Sequence, residues 1–462
     1  MTLYQPRAAY LHIPFCLRRC FYCDFPVVPL GDRADGSRSP SVANYLSLLH
    51  QEIASSADGP PLATVYFGGG TPSLLTVAQV EGLLEALEQR YGLAPGAEIT
   101  LEMDPATFDE DRLEALLRCG VNRVSLGGQS FDDAVLQGLG RHHRRHHLLE
   151  AAGWLNRARK QGRLRSWSLD LIQGLPSLPG APAVRTPREW TAHWRLQLDE
   201  ALALSPPHLS IYDLSIEPGT VFARRLNQGK LELPDDDLAA DAMDLTAERL
   251  RSAGYGRYEI SNYALPGHVS RHNRVYWSGA SWWGFGMGAT EAPSGRRVAK
   301  PRTREGYARW LAARSPGAQQ PSRTFPLDEL VIVGLRRREG VNMGQLLSEH
   351  GFGPEDLAVL HGRLAPWIEG DWLRIEGVRW RLTDPKGLAV SNSVLRDFLA
   401  WWHEQPSAGE CGASPSTLAT PQSPGPCHPS RVGKMAVDDP STQADLPSPE
   451  LAHHSARQHR YQ

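Results

Sequence analysis

The chain has 462 residues, 41% of them hydrophobic, and its net charge is -2, with 49 basic and 51 acidic side chains. This balance gives no overall attraction to nucleic acid or to an anionic membrane, so we expect no nucleic-acid partner. Six cysteines are too few for a secreted disulfide framework, and no apolar run of about 18 residues predicts a membrane span. Without an apolar leader, the sequence predicts a cytoplasmic protein whose membrane contact would be peripheral or through a partner.

Short apolar or β-branched segments recur along the first half of the chain and are separated by helical patterns. They are AYLHIPF, TVYFGGG, EITLEMD, RVSLGGQ, WSLDLIQG and HLSIYDLS. After the second segment, one apolar helical face is formed by Val80, Leu83, Leu84, Leu87 and Tyr91. Strands that alternate with helices predict an α/β fold with a parallel sheet, either open and doubly wound or a partial barrel.

The pattern changes in the second half, and we predict four regions. Residues 1–235 form the α/β core, and residues 236–322 are an aromatic and Gly-rich segment that contains HNRVYW. Residues 323–404 combine helices with a hairpin in WLRIEGVRWRLTD, which suggests a winged-helix-like unit. The run Arg336–Arg338 in this unit is interpreted as a solvated helix end. Residues 405–462 are rich in Pro and Ser, which predicts a disordered tail.

Three of the six cysteines lie within eight residues, in the segment HIPFCLRRCFYCDF. Cys16, Cys20 and Cys23 follow the first predicted strand directly. Thiolates at this spacing can hold a soft metal, and three thiolates on a four-iron cube would leave one iron open to a further ligand. The alternative is a zinc site completed by a neighbour such as His12.

These cysteines, with Tyr22 before the last, resemble the signature of the radical S-adenosylmethionine (SAM) superfamily. The segments YLHIPFC, VYFGGGTPS, LEMDP, GGQSF, LGRHH and DLIQGLP are similar to those of its oxygen-independent coproporphyrinogen III oxidase group. This resemblance implies a partial (βα)6 barrel of the TIM type, with the cofactors at the carboxyl ends of the strands. It also implies a 4Fe–4S cluster on the three cysteines, SAM on the open iron, and an electron donor for the cluster.

The same resemblance assigns residues to the SAM pocket. Matched by motif, they are Tyr10, Tyr22, Gly69, Gly70, Thr71, Glu102, Gln129, Arg141 and Asp170. Glycine removes the side chain where the backbone must approach a ligand, and Glu102 could accept hydrogen bonds from the amino group or ribose of SAM. Some of these positions serve a second SAM molecule in the oxidases, so the number of SAM sites is left open.

Two features separate this chain from the oxidases. Phe25 stands where they carry a fourth cysteine, and the segment before Cys16 is too short for their N-terminal extension. Both features resemble the HemW-type haem chaperones of the same group. The oxidase activity, which is radical decarboxylation of coproporphyrinogen III, remains the alternative function.

The segment HNRVYW, from His272 to Trp277, resembles the HNxxYW motif that the chaperone branch carries and connects with haem binding. The resemblance implies haem or a porphyrin as cargo, with His272 as the candidate axial ligand. A cysteine or another histidine could also serve. The nearby aromatic residues that could pack on the porphyrin are Tyr276, Trp277, Trp282 and Trp283. The implied partners are haem-acceptor proteins, including membrane respiratory enzymes.

The segment RHHRRHH contains His142, His143, His146 and His147. Histidines four residues apart share a helix face, as metal ligands often do. Because no further ligand is evident, an exposed, cationic first helical turn is the favoured interpretation.

Overall fold

The computed structural model describes residues 5–31, 36–178, 186–315, 317 and 325–405. The predicted disordered tail therefore lies, except for Gln405, outside the described residues, as does part of the loop that follows DLIQGLP. No helix of the described ranges combines the length and the apolar character needed to span a membrane.

The strands of the described residues include six that correspond to the predicted segments. In chain order, the strands are β1 (Ala8–Ile13), β2 (Phe15–Cys16), β3 (Val28–Pro29), β4 (Leu62–Gly69), β5 (Leu93–Met103), β6 (Arg123–Gln129), β7 (Ser166–Gln173), β8 (His208–Asp213), β9 (Gly256–Arg257), β10 (Asn262–Ala264), β11 (Trp283–Phe285), β12 (Thr290–Glu291), β13 (Val298–Ala299), β14 (Val341–Asn342), β15 (Leu373–Glu376) and β16 (Arg379–Leu382).

Helices follow most of these strands, and a short 3-10 helix covers Pro72–Leu74. In chain order, the α-helices are α1 (Pro40–Ser55), α2 (Val77–Tyr91), α3 (Glu110–Arg118), α4 (Asp133–Gly138), α5 (Arg145–Lys160), α6 (Pro187–Ala203), α7 (Val221–Asn227), α8 (Asp236–Ser252), α9 (Arg271–Trp277), α10 (Arg304–Ala313), α11 (Leu327–Leu335), α12 (Met343–Glu349), α13 (Pro354–Glu369), α14 (Lys386–Ala389) and α15 (Ser391–His403).

The main sheet has the strand order β11-β1-β4-β5-β6-β7-β8-β10-β9. From β1 through β4 to β8 the neighbouring strands are parallel and follow one another in chain order. This sequential order confirms the partial (βα)6 barrel and excludes a doubly wound sheet, in which the order reverses. A parallel strand, β11, extends the sheet beside β1, and the antiparallel β10 extends it beside β8.

One face of the sheet forms the lumen of the barrel, because side chains two residues apart point the same way. Tyr66 Oη donates to Glu102 Oε1 at 2.9 Å, and Ser125 Oγ donates to Asp170 Oδ2 at 2.9 Å, so these four side chains share the lumen face. Neighbours such as Val124 point to the other face and are fully buried beneath the helices.

Helix α2 shows how the sequence determines the outer layer. Its N-terminus is fixed by a capping box between Thr76 and Gln79, which satisfies two otherwise unpaired backbone groups. Its predicted apolar face is confirmed, since the buried residues are Val80, Leu83, Leu84, Leu87 and Tyr91.

The C-terminal elements have the order helix, strand, helix, helix and hairpin, from α11 to β16, which is that of a winged helix. They enclose a buried cluster of their own that includes Leu335, Leu360 and Trp380. The interpretation of Arg336 as solvated is wrong, because its side chain is buried and donates to Asn392 Oδ1 at 2.7 Å. The four domain limits given above stay predictions.

Candidate cofactor site

The three clustered cysteines lie on the loop that leaves the carboxyl end of β1. All three are half-buried free thiols, and burial raises the pKa of Cys16 to about 11 and that of Cys23 to about 12. The start of the loop is held against the end of β4, because Gly70 N donates at 2.8 Å to the carbonyl oxygen of Ile13, the last residue of β1. Three unpaired thiols beyond a barrel strand match the donor chemistry of an iron–sulfur cluster.

The zinc alternative named His12 as an example of a neighbouring fourth ligand. His12 is buried, and its Nε2 donates to Pro26 O at 3.1 Å while its Nδ1 accepts from Tyr10 Oη at 3.0 Å. Burial lowers the pKa of His12 to about 4, so the ring is neutral and both nitrogens are engaged. Within the described ranges, no three His, Cys, Asp or Glu side chains surround a single-ion site. With both ring nitrogens engaged, His12 is not available as the fourth ligand of a zinc site in this arrangement.

Arg141 reaches the cysteine loop from the segment between α4 and α5. Its Nη1 lies 3.7 Å from Cys20 Sγ, and its Nη2 donates to Asp104 Oδ2 at 2.7 Å and to Gly127 O at 2.9 Å. Burial alone would raise the pKa of Asp104, but Arg141 and His143 hold it well below its usual range. A fixed, buried cation beside a cysteine sulfur suits an anionic cluster or a ligand carboxylate.

The glycines of GGGTP allow β4 to pack tightly against β1. Gly69 has φ +114°, and a Cβ there would lie 2.5 Å from the His12 ring. A Cβ on Gly70 would lie 2.7 Å from Phe15 O. Thr71 N donates to Phe15 O at 2.7 Å, and its side chain is hydrogen-bonded to Cys16. These glycines thus have a packing role that the sequence interpretation, based on ligand approach, did not include.

Glu102 lies in the upper lumen beside this turn. Its carboxylate accepts from Tyr66 Oη at 2.9 Å and from Gly69 N at 3.0 Å. Burial raises the pKa of Glu102 to about 7, although both hydrogen bonds favour the ionised form. Asp170 lies across the lumen, and burial also raises its pKa while three serine hydroxyls oppose the shift. Two buried carboxyl groups with raised pKa values are a feature of ligand-binding sites.

The remaining residues that were matched to a SAM pocket border the same region. Gln129 ends β6 with φ +64°, a strained conformation for a residue with a side chain, at an irregularity in the pairing with β7. Tyr10 stacks on Tyr66 with ring centroids 6.1 Å apart. Tyr22 packs against a small apolar cluster that includes Leu139. The structure therefore places the assigned side chains around the carboxyl ends of the strands.

His272 lies at the opposite end of the lumen. It is fully buried on α9, where Nδ1 is 2.8 Å from Thr64 Oγ1 and Nε2 is 2.8 Å from Tyr276 Oη. Its ring stacks on Tyr66, with centroids 5.1 Å apart, and Tyr66 in turn bonds Glu102. Both ring nitrogens are thus engaged, and Tyr66 lies between His272 and the upper lumen. The aromatic neighbours Trp282 and Trp283 are also buried.

The histidine-rich segment RHHRRHH is not the exposed turn that was expected. Helix α5 begins at Arg145, so His142 and His143 precede it. His143 is fully buried, and its Nε2 donates to Gly128 O at 3.0 Å, with Nδ1 3.6 Å from Asp104. The interpretation is therefore wrong for His143, which supports the Asp104–Arg141 pair. Only His146 of the four is exposed.

Sequence reasoning missed Asp104 and placed His143 in an exposed turn, although both belong to this site. Asp104 stands two residues after Glu102 in LEMDP, so the alternation of β5 could have placed it near the same end of the lumen. Its pairing with Arg141 joins positions 37 residues apart and has no local signal.

Comparison with known proteins shows what the chain resembles. The family model of the radical SAM superfamily matches residues 10–177. The protein named heme chaperone HemW from Synechocystis sp. is 40% identical over 424 residues, with 86% of this chain and 98% of that protein covered. The protein of the same name from Escherichia coli is 38% identical, with coverages of 87% and 100%.

Among solved structures, the coproporphyrinogen III oxidase HemN from Escherichia coli, which is described as a radical SAM enzyme, has a similar fold. Its TM-score is 0.68, and the alignment covers 85% of this chain and 90% of that chain. The sequence identity is 23%, so this likeness shows the fold alone.

Proposed function

The chain belongs to the radical SAM superfamily and, within it, to the HemW family, and on this premise we propose that it is a haem chaperone. The observation that carries the proposal is the 40% identity to a protein named heme chaperone HemW, along nearly the full length of that relative. Phe25 supports it, because the position where the oxidases carry a further cysteine holds a partly exposed aromatic ring. We further propose a cytoplasmic location.

Cys16, Cys20 and Cys23 are the proposed ligands of a 4Fe–4S cluster. Their loop is held in place by the backbone bonds to the end of β4 and by the His12 bond to Pro26 O. Arg141 adds a positive charge beside Cys20 that offsets the charge of the thiolates. When bound, the cluster supplies an electron to the sulfonium of SAM, and a separate electron donor is the implied partner.

The proposed SAM pocket is the region between GGGTP and the upper lumen. Glu102, in its ionised form, would accept from the amino group or ribose of SAM, and Arg141 would bind the carboxylate. Gly69, Gly70 and Thr71 would contact SAM through the backbone beside the cysteine loop. Further contacts are proposed for Tyr10, Tyr22, Gln129 and Asp170.

Haem is the proposed cargo, and haem-acceptor proteins, including membrane respiratory enzymes, are the proposed partners. His272 stays the candidate axial ligand that the motif indicates. Because its Nε2 bonds Tyr276 Oη and its Nδ1 bonds Thr64 Oγ1, iron binding there requires one of these bonds to break. Haem binding at His272 would thus be coupled to a rearrangement of the Tyr276 or Thr64 side chain.

The test is anaerobic reconstitution of the cluster, followed by haem titration and a coproporphyrinogen decarboxylation assay on the same sample. The proposal predicts a saturable haem spectrum at micromolar protein and no protoporphyrinogen product. Product formation without haem binding would instead support the oxidase activity. A sample that neither binds haem nor forms product would contradict both the chaperone function and the oxidase function.

Two variants locate the haem within that test. His272→Ala removes the candidate ligand, whereas His361→Ala removes an exposed histidine that also lies beside an aromatic ring, that of Trp380. Loss of the imidazole-type spectrum in the first variant alone assigns the ligand to His272. An unchanged spectrum in both variants assigns it to another residue and leaves the chaperone function intact.

A further inference from the structure

Arg123, the first residue of β6, is a buried cation for which the cofactor site gives no explanation. The residue is 2% exposed. Its Nε and Nη2 are buried and have no hydrogen-bond partner among the described residues. Removing a charge from water without a partner costs several kcal/mol, even after the protein relaxes around it. Burial raises the pKa of Asp170 and the charge of Arg123 opposes that shift, so this nearby carboxyl group offsets part of the charge of Arg123. The two nitrogens still lack acceptors, which an anion or ordered solvent would supply.

The strand register places Arg123 at the floor of the lumen, at the amino ends of the strands. Arg123 lies two residues before Ser125, whose hydroxyl donates to Asp170 in the lumen. The side chains of Arg123 and Ser125 therefore share the lumen face of the sheet. Thr100 pairs with Arg123 in the register of β5 and β6, and its buried Oγ1 also has no partner within the described ranges. Its side chain is on the lumen face because Glu102 follows two residues later.

His208, the first residue of β8, contributes a third unpaired group. It is fully buried, its Nε2 is 2.8 Å from Tyr258 Oη, and its Nδ1 has no partner among the residues that the structure describes. Burial first, and then the nearby charge of Arg123, lower the pKa of His208 well below its usual value, so the ring is neutral. When Tyr258 donates to Nε2, the remaining proton sits on Nδ1 and is a free donor.

Two carboxyl groups on the lumen face, Glu98 and Asp170, form their hydrogen bonds with residues other than Arg123. Glu98 accepts from the backbone N–H groups of Arg271 and His272, at 3.1 and 2.9 Å. Asp170 accepts from Ser125 and Ser168 at 2.9 and 2.6 Å. Neither carboxyl group forms an ion pair with Arg123 among the described residues.

The unpaired groups at the floor are therefore a guanidinium that can only donate, an imidazole N–H and a hydroxyl that can donate. A site lined by donors and one fixed cation is complementary to an anion, and its burial within the sheet limits the size of that anion. We propose that the lumen floor binds one small monovalent inorganic anion of the size of chloride or bromide at Arg123, Thr100 and His208. This site is distinct from the proposed SAM pocket and does not depend on the chaperone function.

The test compares wild type with Arg123→Met, which keeps the length of the side chain and removes the charge. Thermal unfolding is followed at constant ionic strength while gluconate, a much larger anion, is replaced by bromide. A ligand of the folded state should raise the wild-type Tm by at least about 1 °C for each tenfold increase in bromide above its dissociation constant. The Tm of Arg123→Met should be independent of bromide.

Arg157→Met is the matched control, because Arg157 is an exposed arginine that pairs with Glu110 on the surface. It should keep the bromide response of the wild type. A crystal of the wild-type protein grown in bromide should show an anomalous peak within hydrogen-bond distance of the Arg123 guanidinium. A wild-type Tm that ignores bromide, or ordered water only at the guanidinium, would overturn the proposal. The crystal measurement does not depend on whether Arg123→Met folds.

Discussion

Lys300 donates from Nζ to the carboxylate of Glu52, and both side chains are fully buried. The same carboxylate accepts from Gly286 N at 2.8 Å and from Tyr307 Oη at 2.6 Å. Helix α1, the end of β11 and helix α10 therefore meet at one carboxylate. Tyr45, on the same helix as Glu52, donates to His12 O at 2.6 Å and so links this junction to the strand that precedes the cysteines.

Glu52→Gln should destabilise the fold strongly, because it removes the partner of Arg314, at 3.6 Å, and leaves buried Lys300 with Glu291, at 3.2 Å, as its one remaining anionic partner among the described residues. Breaking a buried pair by removing one member typically costs about 3–5 kcal/mol. Urea unfolding at pH 7 measures the loss. Glu110→Gln is the control, since Glu110 pairs with Arg157 on the surface and such pairs contribute at most about 1 kcal/mol. Equal losses in the two variants would contradict the buried network.

The sequence predicts those features whose signals are local. The helix α2 follows from apolar residues at helical spacing, and the cysteine loop follows from three thiols within eight residues. Strand alternation with helices indicates a parallel sheet, and the resemblance narrows it to a partial barrel. In each case, neighbouring residues are sufficient to define the feature.

The features that sequence reasoning missed depend on contacts between distant residues. Lys300 and Glu52 are 248 positions apart, and nothing near either residue indicates a partner. His143 is the same residue type as its exposed neighbour His146, yet His143 is fully buried and hydrogen-bonded to Gly128 O. The same limit applies to His272, whose partner Thr64 lies 208 residues away.

Cys20→Ala should abolish assembly of the iron–sulfur cluster, because two thiolates from one loop leave the cube with too few protein ligands. The effect is measured after anaerobic reconstitution as the iron and sulfide content and as the visible absorbance of the sulfur-to-iron charge-transfer bands. Cys119→Ala is the control, because Cys119 follows α3 and bonds Leu116 O, away from the loop. Full iron loading of Cys20→Ala, or its loss in Cys119→Ala, would contradict the assignment.

Gly69→Ala should destabilise the protein and loosen the cysteine loop. The φ of +114° adds backbone strain of about 1–3 kcal/mol for a residue with a side chain, and the new Cβ would displace His12 from Pro26 O. Gly82→Ala is the matched control, because Gly82 lies within α2 and its new Cβ would be 3.8 Å from the nearest atom. That change should stabilise by up to about 1 kcal/mol. Unfolding and iron retention of both variants are compared, and a neutral Gly69→Ala would refute the packing role.

Glu102 should make SAM binding dependent on pH. Burial raises its pKa to about 7, and only the ionised carboxylate accepts from both the amino group and the ribose. Because the ionised fraction rises through this pKa, SAM affinity should increase about tenfold between pH 6 and pH 8. Over the interval from the unfolded to the folded pKa, the unliganded protein should lose stability as the pH rises, because the folded state favours the protonated form.

The variant Glu102→Gln separates this effect from titration of SAM itself. Its affinity should match the low-pH value of the wild type, since the amide cannot ionise. SAM carries its own amino group, whose titration affects both proteins equally, so the measured quantity is the ratio of the two dissociation constants at each pH. Calorimetry on anaerobically reconstituted protein should show this ratio growing through pH 7. A ratio that stays constant from pH 6 to pH 8 would exclude Glu102 from direct contact with SAM, because no other difference between the variants titrates in that range.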